Sequence, residues 1–586
     1  MILSSLVNLY ERLAANGNIY EEGWSEAKIS CALDLDLSGN LIGVADLRRE
    51  IQKGKKTVLV PSERKLPAPV KRAAGIEPNF LWDNSSYVLG IDEKGKPERT
   101  KECFTAFVQK FKEITERLKS EDGTVRAIHI FLENWISEEA AEHPMIKERW
   151  EEILSGNLVF RVNGKFADEN PNIIQAWNEY LMQNKKGEKI FCLATGRRDN
   201  IARLHPSVKG VYGAQSSGAS LVSFNAPSYC SYGKEQGANS PVGEFAAFAY
   251  TSALNYLLSD SNHRESLGDM TIVYWTASAK MAYLDLFSAY FGSDKAMDQV
   301  QLNAVVHKIA GGQTVSWEDT VINPEDEFFI LGLSPNAARL SVRFFLRTTF
   351  GQAVKNLNDH YENIRIVHGE KKKDRLSLYN LLSETVNQNS KDKKPSPQLA
   401  GALARAVLEG MPYPDSLYTG IQLRIRAERN VNYGKASVIK AYLLRNAAEI
   451  DKEVLTVSLN ENSNYEPYVL GRLFSVLEGL QSAANPGINA TIRDKYFNSA
   501  CATPSVVFPI LLKLSQNHLK KLSAKLKVYY EKQIQELTGK LGTEFPNRLN
   551  LKQQGTFQLG YYHQTEKRFE KRNNMEEIEK EDAKNE

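Results

Sequence analysis

Apolar positions in the first 16 residues recur with helical period, placing Leu6, Leu9, Tyr10 and Leu13 on one face. Residues 29–47, ISCALDLDLSGNLIGVADL, switch to period two on either side of Ser38-Gly39-Asn40, which predicts a hairpin. TVLVP (57–61) adds an edge strand stopped by its proline. Residues 102–120 return to helical spacing, with Phe104, Phe107, Phe111, Ile114 and Leu118 as the apolar stripe. Residues 87–90, 126–132 (RAIHIFL), 158–164 (LVFRVNG) and 189–196 (KIFCLATG) are expected as strands.

Over residues 210–239 the pattern lapses into Gly, Ser, Asn and Gln with single aromatics. A helix (243–260), a strand (270–278) and two strands around Ser334-Pro335-Asn336 follow. Residues 385–401, TVNQNSKDKKPSPQLAG, are polar and broken by proline. Beyond them nearly every period is helical. The longest helix is expected over 504–537, with Thr503 as its cap, Pro504 at its first position and Leu519, Leu522 and Leu526 as its stripe. The expected fold is therefore an α+β N-terminal domain with a mixed sheet and polar loops (1–384) and a linker (385–401). A helical connecting region (402–460), an all-α C-terminal bundle (461–565) and a charged, disordered tail (566–586) complete it.

Length changes little in this picture, since 586 residues exceed one hydrophobic core and call for several domains. A formal charge of +3 does not make the whole chain a polyanion binder, so any such role must come from local patches. No run of 18 apolar residues and no basic leader is present, and a cytoplasmic, soluble protein is expected. Cys31, Cys103, Cys192, Cys230 and Cys501 are scattered without CxxC spacing, and no HExxH occurs among the histidines. Neither a disulfide framework nor a metal site is expected.

Two stretches resemble catalytic motifs. GIDEKGKP (90–97) fits a phosphate loop through Lys96, but Pro97 stands where a hydroxyl should bind magnesium. The residues behind it, ERTKE, show no helical period, so it is read as a lysine-rich turn. AQSSGAS (214–220) nearly matches a nucleophile elbow at Ser216, yet ASLVSFN alternates like a strand where the elbow needs a helix. No catalytic constellation and no cofactor is expected.

Three loops remain. One carries Lys71, Arg72, Asn79, Phe80, Trp82 and Asn84; another carries Gln215, Ser216 and Ser217; the third carries Tyr232, Lys234, Gln236 and Asn239. Such groups suit phosphate oxygens and base edges, and aromatics can stack or wedge. The same amides equally suit loops that hold themselves together, and the residues leave both readings open. Trp82, an aromatic between turns, reads first as a core anchor. Near the C-terminus, Lys513, Lys520, Lys521, Lys525, Lys527 and Lys532 make one basic helical face.

KRAAGIEPNFLWDNSSYVLG, GVYGAQSSGASLVSFNAPSYCSYGKEQGANSPV, GLSPNAARLSVRFF and YVLGRLFSVLEGLQSAANPGINATIRDKYFNSACATPSVVFP together resemble the large subunit of the type I-C CRISPR Cascade, along essentially the whole chain. The resemblance implies a non-catalytic subunit of an RNA-guided surveillance complex. Such a subunit recognises the protospacer-adjacent motif (PAM) in double-stranded target DNA, promotes R-loop formation and gives the helicase–nuclease a landing surface. Its implied partners are the crRNA and the backbone and handle-processing Cascade subunits. It further implies that residues 1–384 contact PAM and guide handle, through the three loops above. The C-terminal bundle would be small-subunit-like, its lysines beside the displaced strand. That bundle would also be made separately by internal translation, starting between residues 454 and 465, with Val454 or Val457 as the start and Met411 the nearest upstream methionine. The rival readings are a guide-RNA scaffold that never reads duplex DNA and a serine hydrolase built on Ser216.

Overall fold

The computed structural model describes the chain except residues 54–55, 71–74, 93–96, 185–188, 225, 261–263, 293–298, 392 and 586. Two compact units emerge, Leu3–Pro206 with Ser223–Ala253, and Ser207–Val222 with Leu254–Glu586.

In the first unit, the helix Ile2–Ala15 buries the predicted face of Leu6, Leu9, Tyr10 and Leu13. The expected hairpin forms from strands Cys31–Leu35 and Leu41–Asp46. Cys31–Leu35 also pairs in parallel with Asn157–Val162, and Trp82–Asn84 joins that strand antiparallel, so the sheet is mixed. One face carries Leu33, Leu35 and Phe160, which pack with Phe107, Phe111, Ile128 and Phe131 from the helices Pro97–Thr115 and Gly123–Asn134. A smaller cluster of Ile29, Ala32, Trp82 and Val159 fills the other face.

Three local expectations are corrected. Residues 126–132 lie in the helix Gly123–Asn134, because the Asp122 carboxylate accepts the Thr124 and Val125 N–H groups and so nucleates a helix there. Its buried side chains then include Ala127, Ile128, Phe131 and Leu132, a helical rather than alternating face. Residues 87–90 are no strand: Asn84 caps the turn Ser85–Val88, and the strand is Trp82–Asn84. The helix expected from residue 102 begins at Pro97, so a helix does follow the lysine-rich turn; Lys96 lies outside the described residues.

The second unit contains an antiparallel sheet in the order Arg264–Leu267, Met270–Thr276, Glu327–Asn336, Arg339–Thr349. Its last turn falls after Asn336, with Ala337 in left-handed backbone, so Ser334 and Pro335 end a strand instead of making the turn. Among the described residues every element from Phe350 onward is helical. Helix Pro397–Glu409 begins inside the expected linker.

The long helix expected over 504–537 is two, Pro504–Leu519 and Ala524–Gly539. Thr503 sits at the cap position, but its hydroxyl donates back to the Ser499 carbonyl. Leu519 is buried, Leu522 half-buried and Leu526 44% exposed, so the apolar stripe ends at the break. Ala524–Gly539 buries only Tyr530 and Leu537. The bundle's centre is the pair Glu466–Ala484 and Leu551–Asn585, which meet backbone to backbone. A Cβ on Gly471 would lie 1.9 Å from the Phe557 carbonyl oxygen, and one on Gly560 2.1 Å from that of Tyr468. The backbone stays helical through Asn585, where disorder was expected from residue 566. No helix among the described residues is long and apolar enough to cross a membrane.

Candidate nucleic-acid interface

The loop that ends at Asn84 is held inward. Asn79 is 5% exposed, its Oδ1 accepts the Val70 N–H at 2.9 Å, and its own N–H donates to Asp83 Oδ2 at 2.8 Å. Phe80 stacks with Phe111 and Trp177 at centroid distances of 6.0 and 5.2 Å. The Trp82 indole donates to the Pro67 carbonyl at 2.8 Å, and the Asn84 side chain accepts the Ser86 N–H. Leu81 between the aromatics takes φ of 71°, a strained conformation that the packing on both sides imposes. Phe80 and Trp82 are core anchors, then, and the Asn79 and Asn84 side chains hold the fold. Lys71 and Arg72 lie outside the described residues.

Gln215, Ser216 and Ser217 are exposed on a tight turn of the second unit, closed by the Gly218 N–H donating to the Gln215 carbonyl at 2.9 Å. Only glycine fits after them: Gly218 has φ of 96°, and a Cβ would meet the Val208 carbonyl oxygen at 2.9 Å. Single bridges, Val208 with Ala219 and Ser220 with Arg339, follow where an elbow requires a helix. The hydrolase geometry is thus missing at Ser216.

In the first unit, residues 231–241 fold onto the ribbon of strands Lys189–Phe191 and Arg198–Asn200. Leu193 donates its N–H to the Pro241 carbonyl, Ala202 to that of Val242 and Gly237 to that of Arg203. Asn239 locks the loop: its Oδ1 accepts the Ser231 N–H at 2.9 Å, and its Nδ2 donates to the Lys234 and Gln236 carbonyls at 3.1 and 3.0 Å. The Arg203 guanidinium donates to Gln236 Oε1 at 2.7 Å. What this frame projects is specific. Tyr232 is 98% exposed with φ of 54°, a conformation unusual for an aromatic residue and sustained here by the lock. Lys234 is exposed beside it, and Phe191, 63% exposed, carries the Arg198 guanidinium 5.1 Å over its ring.

The chemistry of this platform is mainly cationic and aromatic, with the Glu235 carboxylate exposed next to Lys234. Of its carboxylates, Asp199 is spent on the Asn200 and Phe245 N–H groups, the latter opening the helix Glu244–Ser259. Gln236 and Asn239 prove structural, Tyr232 and Lys234 project, and Phe191, Arg198 and Arg203 are additions the loop composition did not single out. Their only sequence signal is a phenylalanine within a short run that also holds Lys189, Arg197 and Arg198.

The six C-terminal lysines are all exposed, but they do not share one helix. Lys513 lies on Pro504–Leu519, Lys520 and Lys521 in the break, and Lys525, Lys527 and Lys532 on Ala524–Gly539. Lys521 donates to Asn485 Oδ1 at 2.9 Å, and Lys527 approaches Glu531 at 3.9 Å. Among the described residues no group of three or more His, Cys, Asp or Glu side chains could hold a metal.

No curated protein matches this chain closely enough to count as a relative. The family model described as CRISPR-associated protein (Cas_Csd1), by contrast, matches residues 6–569, which takes in both units, the locked loop and the bundle. The chain therefore belongs to the Cas_Csd1 family of CRISPR-associated proteins, as the large subunit of a type I-C Cascade.

Proposed function

We propose that this Cascade subunit recognises the PAM in double-stranded DNA, promotes R-loop formation and helps recruit the helicase–nuclease, without catalysing a reaction itself. The observation that carries the reading is the locked loop of residues 231–241, which holds Tyr232 almost wholly in solvent beside Lys234. A free loop would lose conformational entropy on binding; a loop locked by Asn239 has already done so. An aromatic held outward in strained backbone suits stacking on, or wedging between, bases as a duplex opens. Lys234, Arg198 and Arg203 suit phosphates, which position the duplex without reading it. In the second unit, the exposed turn of Gln215, Ser216 and Ser217 offers neutral donors of its own. In the assembled complex the partners are crRNA, target duplex, the backbone and handle-processing subunits, the helicase–nuclease and a short small-subunit fragment from the same gene. The exposed C-terminal lysines would follow the displaced strand.

The test is duplex binding and R-loop kinetics of the assembled complex. Lys234→Ala should weaken PAM and PAM-less duplexes alike and reduce the salt slope by about one. Tyr232→Ala should leave initial binding near wild type and slow strand opening, by up to roughly the 1–3 kcal/mol of one base–aromatic stack. Wild-type R-loop kinetics in Tyr232→Ala would remove the loop from strand opening. Equal affinity of the wild-type complex for PAM and PAM-less duplex would favour the guide-RNA scaffold.

A further inference from the structure

Within the second unit, the helices Glu466–Ala484, Ala524–Gly539 and Leu551–Asn585 enclose a pocket of about 190 Å³. Arg472 lines it from mid-helix and is only 3% exposed. Its Nε donates to Gln564 Oε1 at 3.1 Å, and its Nη1 to the Asn460 and Glu461 carbonyls at 3.3 and 3.1 Å. Nη2 has no hydrogen-bond partner among the described residues, and no carboxylate lies within ion-pair distance of the guanidinium. Burial pushes the Arg472 pKa down. The charges of nearby Glu536 and Glu461 offset that burial only in part, so an anion in the pocket would add stabilisation to the guanidinium.

The walls are built for one. Lys567 and Arg568 come from the last helix, Arg568 fixed by its Nη1 donating to the Ser475 carbonyl at 2.9 Å and Lys567 bonded to the Glu461 carboxylate. Against these three cations stand the carboxylates of Glu461 and Glu536, so the lining keeps a net positive charge. The space is large enough for a phosphate group with several waters. The guanidinium fork matches phosphate oxygens in pairs. Tyr529 and Gln533 reach the pocket from Ala524–Gly539, the helix that also carries exposed Lys525, Lys527 and Lys532.

We propose that this pocket is a phosphate-binding site, and that its occupant in the working complex is a backbone phosphate of single-stranded nucleic acid running along Ala524–Gly539. The second clause rests on the displaced-strand reading above; the first does not. Arg472 Nη2 and Arg568 would grip the phosphate, and Tyr529 at the rim would give an adjoining base a face.

Two probes on the full-length chain separate these clauses, inorganic phosphate followed by phosphorus NMR line width and a fluorescent 15-nucleotide oligothymidine followed by anisotropy. Gln533→Trp should block the pocket without changing its charge, and Arg568→Gln should remove one wall cation. Wild type should broaden the phosphate resonance, both variants should reduce that broadening at least fivefold, and both should bind the oligonucleotide about tenfold more weakly. Absent broadening in wild type, or undiminished broadening in both variants, would overturn the site. Lost broadening with unchanged oligonucleotide affinity would refute the strand as the phosphate's source. If wild type failed to bind the oligonucleotide at all, the displaced-strand reading would fall, and the phosphate titration would still judge the pocket. Should Arg568→Gln misfold, Gln533→Trp decides alone.

Discussion

Asn79 shows how far the same amide can stand from its first reading. In sequence it sits with Asn84 beside two aromatics, a set suited to base edges; in the fold its Oδ1 is spent on the Val70 N–H and its N–H on Asp83. Deleting such a buried partner leaves an unsatisfied donor, so Asn79→Ala should cost roughly 1–3 kcal/mol of stability. Its discrimination between PAM and PAM-less duplex should match wild type in the assembled complex. Urea unfolding beside duplex titration checks both; intact stability with lost discrimination would return Asn79 to the reading of bases. Asn239, two loops later, serves its loop in the same way, and there the consequence is functional because the lock leaves Tyr232 outside.

Among the elements, the helix pair Glu466–Ala484 and Leu551–Asn585 sets the bundle. Gly471 and Gly560 let the two backbones touch, and a methyl group at either would sit about 2 Å from a carbonyl oxygen, with backbone as the obstacle. Gly560→Ala should therefore destabilise by roughly 3 kcal/mol or more, although alanine favours helix in isolation. Thermal unfolding of the variant checks it, and a wild-type or raised midpoint would mean that the helices separate at little cost. Ala524–Gly539 is the contrary case, an element held by Tyr530 and Leu537 with its lysines outside. Helical period foresaw both segments but not the break between them, because Lys520, Lys521 and Leu522 are adequate helix formers and only packing ends the first helix at Leu519.

For the whole molecule, buried imidazoles set a pH limit. His360 and His563 are buried in the second unit, each with Nδ1 bonded to a tyrosine hydroxyl, and burial lowers both pKa values from 6.5 to about 3. Both stay neutral when folded and take up protons when unfolded, so their stability contribution is complete above pH 6.5 and falls away between 6.5 and about 3. Each then costs up to about 1.4 kcal/mol per pH unit, or roughly 3 kcal/mol for the pair between pH 7.5 and 5.5. His129 and His205 shift in the same direction. Carboxylates held low by cations act later: Glu133, bonded to Lys119 and Lys112, goes from 4.5 to about 2 and loses its contribution only below pH 4.5. The urea midpoint should accordingly fall from pH 7.5 to 5.5, and a flat profile over that range would contradict the burial of the two rings.

Periodicity alone determined the α+β half, the helical half, the first helix and the hairpin at Ser38-Gly39-Asn40, because a buried face must repeat with its element, while the strand Met270–Thr276, buried along its whole length, was legible as a short apolar, β-branched and aromatic run. Long idiosyncratic strings pointed to the family that residues 6–569 match. Residues 126–132 wind into a helix because their apolar pattern serves either period and the Asp122 cap, a local signal that periodicity does not read, settles it. The tertiary structure alone decided which polar residues are free. An asparagine's composition is the same whether it faces a base or a backbone N–H, and only the way each loop folds back, bringing the Val70 N–H to Asn79 and the Ser231 N–H to Asn239, makes the two asparagines structural while leaving Tyr232 and Lys234 to the solvent.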